Sequence, residues 1–146
     1  MSDLPGTYYA LVNHLTQQSI TGIDNNNDIA WGNNKFSPKG KDIWLSADYF
    51  PVGVGVTSKT AAGAQEDGLF QVSVYIKAND NDGANVTYDI QQLTAMNEVL
   101  TAFAENVQTS YNSVTVSILN SELQPPRKTG GWNVRDITIN YIRLGD

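Results

Sequence analysis

The chain has 146 residues, of which 40% are hydrophobic, 16% charged and 10% aromatic; this is too apolar for a disordered chain and too polar for a membrane protein, so a single domain that folds in water is expected. A net charge of −6, with nine Lys and Arg scattered mostly singly, leaves no basic patch of the kind that binds nucleic acid. Cysteine is absent, which excludes thiolate metal sites, cysteine nucleophiles and disulfide frameworks.

The opening Met1-Ser2-Asp3-Leu4-Pro5-Gly6 has neither the basic nor the apolar stretch of a signal peptide, and no apolar run nears the length of a membrane span. The protein is therefore expected to stay where it is made. Tyr8, Leu11, Val12 and Leu15 follow the spacing of one helical face and predict a short helix over residues 7–18. From Thr21 to Asp28, Gly22 and the run Asn25-Asn26-Asn27 predict a surface loop, with Asp24 and Asp28 as turn formers. Ile29-Ala30-Trp31 reads as a short strand. After a turn-rich stretch containing Pro38, Ile43, Leu45, Ala47 and Tyr49 alternate against Trp44, Ser46 and Asp48 and predict a longer strand over 42–50.

Between Pro51 and Asp67 the pattern dissolves into Gly, Val, Ala and Thr, which fits either a functional loop or the two extended arms of a hairpin. Phe70, Val72, Val74 and Ile76 then alternate with polar neighbours and mark a half-buried strand over 68–77. A second helix is predicted over 85–107, on a stripe of Val86, Ile90, Leu93, Ala95/Met96, Leu100, Phe103 and Val107, with Asn85 as N-cap and Asp89 in the first turn. Val114, Val116 and Ile118 mark another strand. Pro125-Pro126 ends it before a basic turn that reaches Gly130-Gly131. A last strand covers 132–143; its apolar parity switches between Trp132/Val134 and Ile137/Ile139/Tyr141, which predicts a bulge near Arg135-Asp136. This order defines an α+β domain, a mixed and mainly antiparallel sheet with two helices packed on one face.

Little in the chain suggests chemistry. His14, the sole histidine, has no nucleophile motif near it and reads as a surface or rim residue. Asp80-Asn81-Asp82-Gly83 imitates the middle of a calcium loop, but the first ligand position would be Ala78 and the last Asp89 in place of glutamate, so a polar turn is the better reading. No glycine-rich phosphate cradle joins a strand to a helix. Trp31, Trp44 and Trp132 are expected in the core or packed on the sheet rather than around a ligand. No catalytic residue, metal ligand or cofactor is expected.

Taken in order, Ile29-Ala30-Trp31 with Phe36-Ser37-Pro38, Ile43-Trp44-Leu45 ending in Phe50-Pro51, Gly68-Leu69-Phe70-Gln71-Val72-Ser73-Val74-Tyr75, and Gly130-Gly131-Trp132 before Ile137-Thr138-Ile139-Asn140-Tyr141 form a set. This set resembles the tail terminator, or tail completion, proteins of long-tailed bacteriophages. The likeness runs from the first helix to the last strand, and the order and spacing of the pieces carry it. It implies a non-enzymatic protein of the virion tail, assembled in the host cytoplasm. Such a protein forms a ring of its own copies, a hexamer, at the head-proximal end of the tail tube. It caps the tube protein, stops its polymerisation and meets a head completion or neck protein.

A ring needs a surface that meets a different surface on the next copy. Val52, Val54, Val56, Lys59 and Gln65, on the pattern-free segment, and Arg127 and Lys128, in the basic turn, are the candidate interface residues. The segment 52–65 is expected to be mobile in the free monomer and to order against a neighbour or the tube, and the basic pair to meet an acidic partner. The alternative is a small ligand-binding or adaptor module acting as a monomer or dimer. Neither a membrane nor sequence-specific nucleic acid is an expected partner.

Overall fold

A computed structural model describes residues 3–32, 35–54, 64–78 and 87–144. The order is α1 (Leu4–Thr16), β1 (Ile29–Trp31), β2 (Ile43–Val54), β3 (Ala64–Lys77), α2 (Thr87–Ala102), β4 (Gln108–Tyr111), β5 (Val114–Leu123), β6 (Arg127–Thr129) and β7 (Trp132–Leu144). The strands form one sheet in the order β1-β2-β3-β7-β5-β4, with β6 also paired to β7. Only β1 and β2 run parallel; the other pairs are antiparallel. The expected α+β architecture is therefore what the chain adopts.

α1 starts three residues earlier than its apolar spacing predicts. Asp3 caps it, its carboxylate accepting from the Gly6 amide at 2.9 Å, and Pro5 is tolerated because a first-turn residue has no intrahelical N–H bond to lose. α2 ends at Ala102, not Val107. The carbonyls at its end are taken by side chains from elsewhere, that of Ala102 by His14 Nε2 at 2.7 Å and that of Phe103 by Ser121 Oγ at 2.7 Å. Residues 108–111, which carry little apolar signal, form the unpredicted β4. It joins β5 through Asn112-Ser113, both at positive φ as a tight two-residue hairpin turn requires.

The buried face of α2 is turned from the predicted one. Ala95, Met96 and Phe103 are buried as expected, but Ile90 and Leu93 are exposed, and Gln92 and Val99, outside the predicted stripe, are buried. Gln92 earns its position through hydrogen bonds: Nε2 donates to the carbonyls of Val74 at 2.9 Å and Asn133 at 3.0 Å, while Oε1 accepts from Arg135 Nε at 3.1 Å.

On the sheet, Leu45, Ala47, Phe70, Val72, Val74, Ile76, Val116, Ile118, Ile137, Ile139 and Tyr141 face the helices and join Leu11, Leu15, Met96, Val99 and Phe103 in one core. The pattern-free segment is a hairpin over its described parts. Pairing of β2 with β3 runs from Ile43↔Ile76 to Val54↔Glu66, with a register shift between Pro51 and Gly53.

The bulge expected at Arg135-Asp136 is absent from the β3–β7 ladder, which is unbroken from Gly68↔Tyr141 to Lys77↔Trp132. The parity switch has another cause: both faces of the sheet are covered at this end. Trp132 and Val134 point to the outer face, where the pairs Trp44↔Tyr75, Tyr75↔Val134 and Val134↔Arg127 make a row across four strands. Trp44 stacks on Tyr75 with ring centroids 3.8 Å apart, and the Arg127 guanidinium lies 5.9 Å from the Tyr75 ring.

The two faces of α2 give opposite expectations. Ile90→Ser should change unfolding free energy by no more than about 0.5 kcal/mol, whereas Met96→Ala should cost about 2–5 kcal/mol. Gln92→Leu, although more apolar, should cost about 1–3 kcal/mol because it strands Arg135 and two strand carbonyls. Urea unfolding of the three variants checks all three values.

Candidate assembly interface

The base of the β2–β3 hairpin is anchored by a buried carboxylate. Glu66 is almost wholly enclosed. Its Oε1 accepts from Thr7 Oγ1 of α1 at 3.0 Å, and its Oε2 accepts from the hydroxyls of Tyr49 in β2 and, at 2.5 Å, of Tyr141 in β7. Arg143 Nε lies 3.8 Å from Oε1 and balances the charge. One side chain thus ties the helix and two neighbouring strands to the start of β3. Gly68 makes the arrangement possible: it faces Tyr141 across the ladder, and a Cβ there would lie 2.8 Å from the tyrosine hydroxyl and 2.5 Å from the Phe50 carbonyl oxygen. Burial raises the pKa of both Tyr49 and Tyr141, and the hydrogen bonds to Glu66 raise it further. Both carboxylate oxygens of Glu66 accept hydrogen bonds from within the fold, so the cluster fastens the hairpin base.

Outward from this anchor the hairpin surface becomes apolar. Phe50 is 48% and Val52 72% exposed. An open groove of about 400 Å³ lies between the hairpin base and the β5–β7 ladder, with apolar walls from Val52, Leu69 and Leu119 and polar groups from Asp67, Asn120 and Asn140. Of the interface residues named from sequence, Val52 borders this groove. Val54 and Gln65 lie in the strand arms, but only their backbone course is described. Val56 and Lys59 fall outside the described residues, as does most of the segment expected to be mobile.

Arg127 and Lys128 sit far from the groove, on β6. Arg127 is engaged within the chain: Nε and Nη2 bond the two oxygens of Asp136 at 2.9 and 3.2 Å, and Ser73 Oγ donates to the same carboxylate at 2.5 Å. Burial works to raise the Asp136 carboxyl, but the bonds from Arg127 and Ser73 outweigh it and hold the group below the usual carboxylate range. Lys128 is exposed on the neighbouring position. The candidates among the described residues are therefore not gathered into one patch. The hairpin lies at one end of β3 and the basic pair at the other.

The remaining candidates take structural places. His14 donates from Nε2 to the Ala102 carbonyl and meets Phe103 edge-on, which holds α1 against the end of α2. Asp24 accepts from the Asn26 amide and the Asn27 side chain, the turn role expected of it, and Asp28 pairs with Lys41 at 2.6 Å. Trp31 packs against the core, and Trp44 is buried in the outer-face row beside Trp132. Asp80–Gly83 and Asn85 lie outside the described residues. Sequence reasoning missed Glu66 and Phe50. A signal for Glu66 existed: Glu66 and Asp67 are adjacent acids immediately before Gly68, at the point where the apolar alternation of β3 begins.

Among the described residues the chain is a two-helix, seven-stranded scaffold with a buried polar anchor and an apolar hairpin surface. The family model for phage tail terminator proteins matches residues 8–141, and the chain belongs to that family. It is a structural protein of the phage tail. No curated protein matches it. A solved structure known only by a serial label shares the fold, with a TM-score of 0.65 and 18% identity over 96% of this chain and 94% of that one.

Glu66→Ala should lower stability by about 3–5 kcal/mol, since it leaves two tyrosine hydroxyls buried without their acceptor and removes the carboxylate beside Arg143; chemical denaturation measures the loss. Alkali should expose the same anchor. Tyr49 and Tyr141 have folded-state pKa values raised above the ordinary 10.0, so their contribution is complete below that pH and is lost as pH rises beyond it. Tyrosinate absorbance should accordingly show a fraction of the seven tyrosines titrating only together with loss of the circular dichroism signal.

Proposed function

We propose that this protein closes the head-proximal end of the tail tube. It acts as a ring of its own copies, a hexamer, which stops addition of further tube subunits and offers a joining surface to a head completion or neck protein. It assembles in the host cytoplasm and remains in the virion tail. The work is positional, and no bond is made or broken. The observation that carries this reading, beside family membership, is the hairpin of β2 and β3: a rigidly anchored base from which exposed Phe50 and Val52 lead into the arms. Large exposed apolar side chains clustered beside a groove are the usual mark of a protein contact. On this reading Val52, Val54, Val56, Lys59 and Gln65 contact a neighbour or the tube. Lys128, with the outward side of Arg127, faces an acidic partner.

The second reading, a ligand-binding or adaptor module working as a monomer or dimer, draws on one cleft. A space of about 470 Å³ lies between the turn at Pro38–Lys41 and the turn at Gly130-Gly131, bounded by Lys39, Lys77 and Trp132. Its wide opening and single aromatic wall suit a small ligand less well than an enclosed pocket would.

Mixing the purified protein with its tail tube protein and viewing negatively stained samples separates the two readings. Rings, and tubes capped at one end and shortened, are the expected result. Uncapped tubes without rings would transfer the assignment to the adaptor module. Val52→Asp should weaken capping at least about tenfold while leaving thermal stability within about 0.5 kcal/mol of the parent, because the side chain is exposed.

A further inference from the structure

The strand directions determine how two copies can meet at the edges of their sheets. Starting from β1 and crossing the sheet, β2 runs the same way, β3 reverses, β7 reverses again, β5 once more and β4 a final time. The two edge strands, β1 and β4, therefore run in the same sense. Among the described residues each pairs with a strand on one side only. Both edges are short, which is one safeguard of an edge, but they lack others: Ile29-Ala30-Trp31 and Gln108-Thr109-Ser110-Tyr111 contain no charge and no proline, and the β4–β5 ladder has no bulge.

Edges of like sense constrain the symmetry. A two-fold axis would set β4 against β4, or β1 against β1, in antiparallel fashion. A ring operator turns each copy by much less than half a revolution and cannot reverse a strand, so it sets β4 of one copy beside β1 of the next, in parallel. The aromatic surfaces agree with the second arrangement. Tyr111 lies on the helix side of β4, where it stacks with Tyr9, itself 55% exposed, at 5.6 Å between ring centroids. Trp31 lies on the helix side of β1, because its partner Ala47 belongs to that face. Joining β4 to β1 brings the tyrosine pair and the tryptophan together on one side of the shared ladder.

Resting on the ring reading above, we infer that a second copy of this chain docks its β1 edge in parallel against the β4 edge, with Tyr9 and Tyr111 packed near Trp31, so that the sheets join around the ring. Strands of three and four residues supply few hydrogen bonds. The contact is accordingly weak between free monomers and gains from being repeated on the tube.

The absence of cysteine makes the test clean. Ala30 pairs with Ser46, and Gln108 and Ser110 pair with Ser117 and Thr115, which puts all three on the outer face and within range of one another across a parallel ladder. Chains carrying Ala30→Cys are mixed with chains carrying Gln108→Cys or Ser110→Cys, together with the tube protein, and mildly oxidised. Disulfide-linked heterodimers from at least one register, and a ladder of multimers from the matching double variant, are the expected result. Rings visible by microscopy without cross-links at either register, or Ser110→Cys chains linking to themselves, would overturn the edge contact and leave the ring standing. No rings in any sample would remove both. As an independent arm, Ser110→Lys should reduce ring yield at least about tenfold with the circular dichroism and melting temperature of the monomer unchanged; an undiminished yield would overturn the inference.

Discussion

β3 is hydrogen-bonded along both edges, to β2 over Ile43–Val54 and to β7 over Trp132–Leu144, and its register constrains everything around it. A slip of one residue would carry Phe70, Val72, Val74 and Ile76 from the core to the outer face and bring Gln71, Ser73 and Tyr75 inward. It would also pull Glu66 away from Tyr49, Tyr141 and Thr7 at one end and Tyr75 away from Trp44 at the other. Apolar burial holds the middle of the strand, and specific polar and aromatic partners hold its ends. A central strand fastened in this way is a rigid bar.

The places of the proposed contact surfaces follow from that bar. Near Glu66, register shifts occur on both sides of β3, between Pro51 and Gly53 and between Ala64 and Glu66. Irregular pairing of this kind re-aims a strand end, and the carboxylate anchor fixes the direction it takes. At the opposite end Asp136, gripped by Arg127 and Ser73, holds β6 on β7 after the Pro125-Pro126 interruption. β5 and β6 are thus one arm of a long hairpin with β7, broken by two prolines that cannot donate to a ladder. In a structural protein of the tail terminator family, stiffness of this kind lets surfaces at the two ends keep a constant relation.

Much of the architecture was legible where side-chain periodicity is strong. The alternation in 42–50 and 68–77 and the stripe through Ala95, Met96 and Phe103 predicted three of the main elements and, for the two strands, the face each buries. Elements whose stability comes from neighbours were not legible. β4 has the composition of a loop and exists because β5 offers it an edge. The parity switch in β7 suggested a local bulge, although its cause is a second covered face made by β2, β3 and β6. Gln92 displaced Ile90 and Leu93 from the core because the carbonyls of Val74 and Asn133 and the guanidinium of Arg135 meet it there. That constellation is assembled from three distant segments.

By itself, the sequence determined an α+β domain without thiol chemistry, and its ordered segments, spread along the chain, carried the resemblance to tail terminators. These properties depend on composition and on spacings of two to four residues, which local sterics and hydrophobic burial translate directly. Only the tertiary structure decided that Glu66 is an anchor, that Arg127 is committed to Asp136, that the candidate interface residues divide between two ends of β3, and that the two sheet edges run in the same sense. Each of these depends on pairing between residues far apart in the chain, and no local pattern encodes which strand will lie beside which.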